Sequence, residues 1–275
     1  MFFLEGVIFL FVLSNAGANA ASRLQVIHDE EANLIVATPD EYDAVVIMIH
    51  GLGDTGKSYI QLADMMSAQL PKVKFILPSA PEQPVTLNGG KRMSSWYDII
   101  SLQDKDGGDC DGLIESAARI RKILENEHNK GIPYNRMVLS GFSQGGALSL
   151  FTGFQLKAEQ QLGGIVCMSG YMPCPKKFTL EPAVKDTPVL HLHGLADKTV
   201  QIKWAELTRK GLQEMDVLNY HLETFEHLGH SINAEGLSLT NKFIHQRLNA
   251  LNTIETAKDS SAHPSSKSPT PRTDL

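Results

Sequence analysis

The sequence is poor in cysteine: Cys110, Cys167 and Cys174 are the only three in 275 residues. An odd, sparse set without a C-x-x-C pair is neither a disulfide framework nor a zinc site. Cys167 lies in the apolar run GIVCMSG and reads as core. Long basic stretches are also missing and the formal charge is -6, so nucleic acid is not expected as a partner.

Both ends lack what a folded domain needs. The N-terminal apolar stretch, Gly6 to Leu13 with Phe2 to Leu4 before it, is too short to span a bilayer. It runs into small residues, and Ala18-Asn19-Ala20 has the A-x-A form of a signal cleavage site, although no Lys or Arg precedes the run and Glu5 does. Residues 1–20 are therefore expected to be a signal peptide or apolar leader. The last stretch, TAKDSSAHPSSKSPTPRTDL, has almost nothing apolar to offset its ordering entropy, so Thr256 to Leu275 is expected to be disordered.

The chain as a whole has ordinary globular composition, 42% hydrophobic and 20% charged, and residues 22–254 read as its folded part. LQVIHD and NLIVATP read as short strands that pair as an antiparallel edge. AVVIMIH is a continuous, β-branched apolar run, the mark of a strand buried on both faces. KFILP, RMVLSG, GIVCMSG, VLHLHG and YHLETF follow, with helices expected over 58–69, 112–129, 144–156, 203–215 and 234–248. This alternation predicts a single α/β domain: a mostly parallel central sheet with helices on both faces and no large cap domain. Function in such sheets gathers beyond the C-terminal strand ends. Three such ends stand out: HGLGD, SGFSQGG and HGLAD.

GFSQG, Gly141 to Gly145, is a G-x-S-x-G between a strand and a helix. That context is what a nucleophile elbow requires, and it makes Ser143 a nucleophile on a strained turn. The alternative is a Gly/Ser-rich turn before a helix. A serine needs a base, and the base an orienting acid. In this fold the chain order is Ser, acid, His. Asp197 follows VLHLHGLAD on the correct side of the sheet, whereas Asp186 precedes that strand and Asp216 lies in a helix–strand connection. His221 is inside a strand and His245 on a helix. The loop EHLGHSIN holds both His230, favoured at the helix entrance, and His227, the alternative. His191 and His193 alternate on one strand without a third ligand and read as packed histidines, not a metal pair.

The stretch VVIMIHGLGDTGKSYI raises a competing reading, since Gly51 to Ser58 fits the phosphate-binding G-x-x-x-x-G-K-S. A P-loop enzyme also needs an acidic residue ending an apolar strand, to hold magnesium. Here the later strands end in Pro78, Ser140, Ser169 and Gly194. In the hydrolase reading the same loop supplies an oxyanion donor, Leu52 N–H, and Gln144 N–H supplies the second.

HGLGDTG, LPSAP, SSWYD, GFSQGGALSL, HGLADKTV and LGHSI occur in that order over Ala44 to Leu248. As a set they resemble the acyl-protein thioesterase / lysophospholipase-like carboxylesterase family of α/β-hydrolases. The resemblance implies Ser143, Asp197 and His230 as triad, Leu52 and Gln144 as oxyanion hole, and no cofactor. It implies S-acylated proteins, lysophospholipids or simple acyl esters as substrates, with transient contact at a membrane surface. It also sets Trp96, in SSWYD, near the acyl site; read from the residues, that aromatic loop either lines an acyl channel or packs in the core. Cytosolic members of the family commonly carry an acylatable cysteine near the start; here position 2 is Phe2 and no cysteine precedes Cys110. The leader therefore points to the secretory pathway, the resemblance to the cytoplasm. A catalytically silent lipid-binding module on the same fold is a third reading, opposed by the filled triad positions.

Overall fold

The computed structural model describes residues 24–102 and 110–261. The leader expected over 1–20 and the tail from 262 onward lie outside the described residues.

Ten strands and five α-helices alternate along these residues. The strands are β1 (Gln25–Asp29), β2 (Leu34–Thr38), β3 (Ala44–Ile49), β4 (Val73–Pro78), β5 (Glu82–Val85), β6 (Lys91–Ser94), β7 (Met137–Phe142), β8 (Gly164–Met168), β9 (Val189–Gly194) and β10 (Tyr220–Phe225). The helices are α1 (Ile60–Ser67), α2 (Leu113–Asn129), α3 (Gln144–Gly153), α4 (Ile202–Glu214) and α5 (Ala234–Ser261). Eight strands form one sheet in the order β1-β2-β4-β3-β7-β8-β9-β10. From β4 to β10 every neighbouring pair is parallel; β1 and β2 form the antiparallel edge.

The continuous apolar runs are explained by the two-residue period of a strand. Val45, Ile47 and Ile49 of β3 pack with α2 and α3 on one face, against residues such as Ile120 and Phe151. Val46 and Met48 of the same strand face α1 and α5, against Leu62 and Ile244. Nothing along β3 meets water, so nothing polar is needed there.

Three features depart from the sequence reading. Cys110 and Cys174 form a disulfide, whereas the odd, sparse set of cysteines reads in sequence as no disulfide framework. The two are 64 residues apart in sequence, and the fold brings their Cα atoms to 6.4 Å, within disulfide reach. Cys167 alone of the three is free, and it is buried, as expected. Next, β5 and β6 pair as an antiparallel hairpin that no apolar alternation announces; Pro84 and the charged Lys91 and Arg92 mask it. Lastly, α5 continues to Ser261, past Thr256 where disorder was expected. Ala257 and Lys258 are good helix formers and extend a helix already nucleated by packing.

Candidate active site

The strand β7 and helix α3 meet at Ser143, whose backbone φ is 53°. A non-glycine residue there is strained and needs its surroundings to hold it. The surroundings do so with bare backbone. A Cβ on Gly141 would lie 2.3 Å from the Gly145 carbonyl carbon, and one on Gly145 would lie 2.1 Å from the Ile49 oxygen. Ser143 N–H donates to the Met168 carbonyl at 2.8 Å, tying the elbow to β8.

Ser143 Oγ lies 2.9 Å from Nε2 of His230. On the other side of that ring, Nδ1 lies 2.7 Å from Oδ2 of Asp197. The second Asp197 oxygen, Oδ1, accepts the backbone N–H groups of Thr199 and Val200, each at 2.8 Å. The carboxylate side chain is fully buried, and both of its oxygens accept hydrogen bonds. The structure thus brings together the three residues singled out in the sequence. It sets His227 aside: that ring is 97% exposed and, among the described residues, pairs with Glu226. The phenyl ring of Phe142 packs on the His230 imidazole, with centroids 4.8 Å apart.

His191 and His193 are packed strand histidines, as their alternation predicts. Both are fully buried, and burial holds both rings below the usual imidazole range. Nε2 of His193 lies 2.7 Å from the Val200 carbonyl and 3.6 Å from Asp197 Oδ2. It supports the turn that holds the acid.

The loop after β3 runs beside the elbow. A Cβ on Gly51 would meet the Ser143 Cβ at 3.5 Å. Leu52 N–H has no hydrogen-bond partner among the described residues, and Gln144 N–H is an orphan donor at the start of α3. These are the two donors expected at an oxyanion hole. The P-loop reading of the same loop fails on its local bonds. Asp54 Oδ1 accepts the Thr55 N–H at 2.7 Å and also the Ser58 hydroxyl, the groups a phosphate and its magnesium would need. Gly56 is there for packing, since a Cβ would lie 2.2 Å from the Leu77 oxygen.

Trp96 corrects the expectation of a substrate-lining residue: it has no exposed surface. Its indole N–H donates to the His50 carbonyl at 2.8 Å and its backbone N–H to Gln144 Oε1 at 2.9 Å. The sequence assigns no role to the His50 ring or the Gln144 side chain; it marks only the HGLGD strand end and the Leu52 and Gln144 N–H groups.

The segment after β8 borders an apolar groove of about 250 Å³ against α4, lined by Tyr171, Met172, Phe178, Trp204, Leu207 and Leu212 among others. Tyr171 is bonded to Tyr97 by their hydroxyls at 3.0 Å, so the groove adjoins Tyr97, whose carbonyl accepts from the Gln144 side chain.

A family model described as Phospholipase/Carboxylesterase matches residues 30–248. Acyl-protein thioesterase 1 homolog 1 of Dictyostelium discoideum is 39% identical over 209 residues, which are 75% of this chain and 92% of that protein. Acyl-protein thioesterase 1 of Yarrowia lipolytica is 40% identical over 204 residues, 72% and 88% of the two chains. The crystal structure of Zea mays acyl-protein thioesterase 2 superposes with a TM-score of 0.68 at 28% identity, covering 78% of this chain and 98% of that one.

Proposed function

The chain belongs to the phospholipase/carboxylesterase family of α/β-hydrolases, and from that premise we propose that it is an acyl-protein thioesterase. The observation that carries the reading is the unbroken hydrogen-bonded line from Ser143 through His230 to Asp197. Four curated relatives matched over most of their length carry the same activity in their names.

In this mechanism Ser143 Oγ attacks the acyl carbonyl while His230 Nε2 takes its proton. The N–H groups of Leu52 and Gln144 hold the oxygen that becomes negative. The C–S bond breaks, and His230 returns the proton to the departing cysteine thiol. Water then attacks the acyl-serine, activated by the same histidine, and the fatty acid leaves. Asp197 keeps the imidazole in the tautomer with Nε2 free to accept and stabilises its charged form. The apolar groove along α4 is the surface offered to the acyl chain.

S-acylated proteins are the substrate class proposed. Lysophospholipids are the second reading, favoured by the phospholipase description of the matching family. Both present their acyl chains at a membrane surface, so transient surface contact belongs to either. The Cys110–Cys174 disulfide supports an oxidising compartment, in keeping with the leader expected over residues 1–20.

The test is covalent labelling by a fluorophosphonate probe. The wild-type chain is expected to take one equivalent and Ser143→Ala none; equal labelling of both would remove Ser143 from the mechanism.

A further inference from the structure

The two proposed oxyanion donors sit on different elements: Leu52 on the loop after β3, and Gln144 at the start of α3. Something must hold them at a fixed separation, because an oxyanion hole acts only when preorganised.

The His50 ring is fully buried. Its Nε2 is 2.9 Å from the Ala80 N–H, which can only donate, so Nε2 carries no proton. The proton is therefore on Nδ1, which donates to the Gly51 carbonyl at 2.7 Å. Asp54 N–H donates to the same carbonyl at 3.3 Å. The Gly51 C=O and the Leu52 N–H belong to one planar trans peptide and point in opposite directions. Fixing the oxygen fixes the N–H. Burial, the largest influence, lowers the His50 pKa to about 4, so the ring stays in this neutral form near pH 7.

The strap 95–97 joins this loop to α3. Trp96 Nε1–H holds the His50 carbonyl at 2.8 Å, while Trp96 N–H holds Gln144 Oε1 at 2.9 Å. Gln144 returns two bonds, from Nε2 to the Tyr97 carbonyl at 2.7 Å and to Ser95 Oγ at 2.9 Å. The His50 and Trp96 rings pack with centroids 5.0 Å apart. One residue thus bridges both sides of the site, through its indole N–H on one and its backbone N–H on the other.

We propose that Trp96 and His50 are positioning residues for the oxyanion hole, locking the Leu52 N–H and the Gln144 N–H onto one point beside Ser143 before substrate arrives. The inference rests on the serine mechanism given above. Neither side chain touches substrate; Trp96 acts through the His50 carbonyl and the Gln144 side chain, and His50 through the Gly51 peptide.

The experiment compares Trp96→Phe, His50→Asn, His50→Leu and Ser143→Ala in the full chain. Rates on p-nitrophenyl octanoate are expressed per site labelled by fluorophosphonate, so misfolded protein does not count. Trp96→Phe removes the indole N–H together with the ring that carries it, leaves the backbone N–H to Gln144 in place, and should lower kcat about 10-fold, with KM little changed. His50→Leu should lower kcat about 100-fold, and His50→Asn, whose amide N–H can still reach the Gly51 carbonyl, should recover part of it. An alkyl trifluoromethyl ketone, to which Ser143 Oγ adds as its proton passes to His230, places an oxyanion in the same hole. Its inhibition constant should rise by the factor by which kcat/KM falls. Loss of turnover in Ser143→Ala with unchanged kcat per labelled site in Trp96→Phe and His50→Leu would overturn the clamp alone. A rise in KM with an unchanged inhibition constant would do the same and return Trp96 to the acyl site. Full turnover by Ser143→Ala would overturn the serine mechanism and the clamp together.

Discussion

Asp197 holds His230 through one carboxylate oxygen and its own turn through the other: Oδ2 meets Nδ1 at 2.7 Å, while Oδ1 takes the N–H groups of Thr199 and Val200. The two roles separate cleanly by atom. Asp197→Asn can keep Oδ1 on the turn while an amide N–H replaces Oδ2, which forces His230 into the tautomer with Nε2 protonated. Turnover should fall about 10⁴-fold. The melting temperature should change little by comparison. A variant that instead loses its fold and its activity in proportion would make Asp197 a structural residue.

The Cys110–Cys174 bridge closes a loop with a separation of 64 residues that contains the whole of α2, β7 and α3. In the chain-entropy account such a loop contributes about 4 kcal/mol, by restricting the unfolded chain. Adding a reductant should lower the melting temperature by about 10 °C for a domain of this size. Cys110→Ser should melt at the reduced value and stop responding to reductant. A melting point indifferent to reduction would mean the bridge does not form in solution.

Three buried histidines make the fold sensitive to acid. Burial pushes His50 down to about 4 and also lowers His191 and His193. Each is neutral when folded but protonates near 6.5 when unfolded, so between these values the unfolded chain binds more protons. Stability is then fully present above pH 6.5 and lost as pH falls toward 4. His50 alone accounts for about 3 kcal/mol across that window. Chemical denaturation at pH 7.5, 6, 5 and 4 measures it. A midpoint that holds constant down to pH 4.5 would contradict neutral burial of these rings.

Gly145 has no room for a methyl group. A Cβ would sit 2.1 Å from the Ile49 oxygen and 2.6 Å from the His50 oxygen, both rigid backbone. Gly145→Ala should cost on the order of 4 kcal/mol or more, or drive α3 away from β3 and abolish fluorophosphonate labelling. By contrast Gly211→Ala on α4, where a Cβ meets nothing within 4 Å, should be neutral or slightly stabilising. Equal tolerance at the two positions would show that the elbow is not held by this contact.

Much of this was legible in the sequence, for identifiable reasons. The parallel strands declare themselves because β3, β7, β8 and β9 are covered on both faces and so read as unbroken apolar runs. Ser143, Asp197 and His230 are legible because each follows a strand end in the order the fold demands. The β5–β6 hairpin was not, because its residues are largely exposed and Pro84 interrupts the pattern. The disulfide was not, because pairing across 64 residues is a property of the folded chain alone. Trp96 reads in sequence as aromatic surface, whereas in the fold its two N–H groups tie the site together. A buried indole and a solvent-facing one look alike in sequence.

The most direct measurement of the central claim is hydrolysis of a palmitoyl-cysteine peptide by the purified full chain, beside a lysophospholipid and with Ser143→Ala as control. Faster release of the thiol, abolished in the variant, is the predicted result. Cleavage of the lysophospholipid alone would make the chain a lipid esterase. Thioester cleavage that survives Ser143→Ala would contradict the mechanism at its first step.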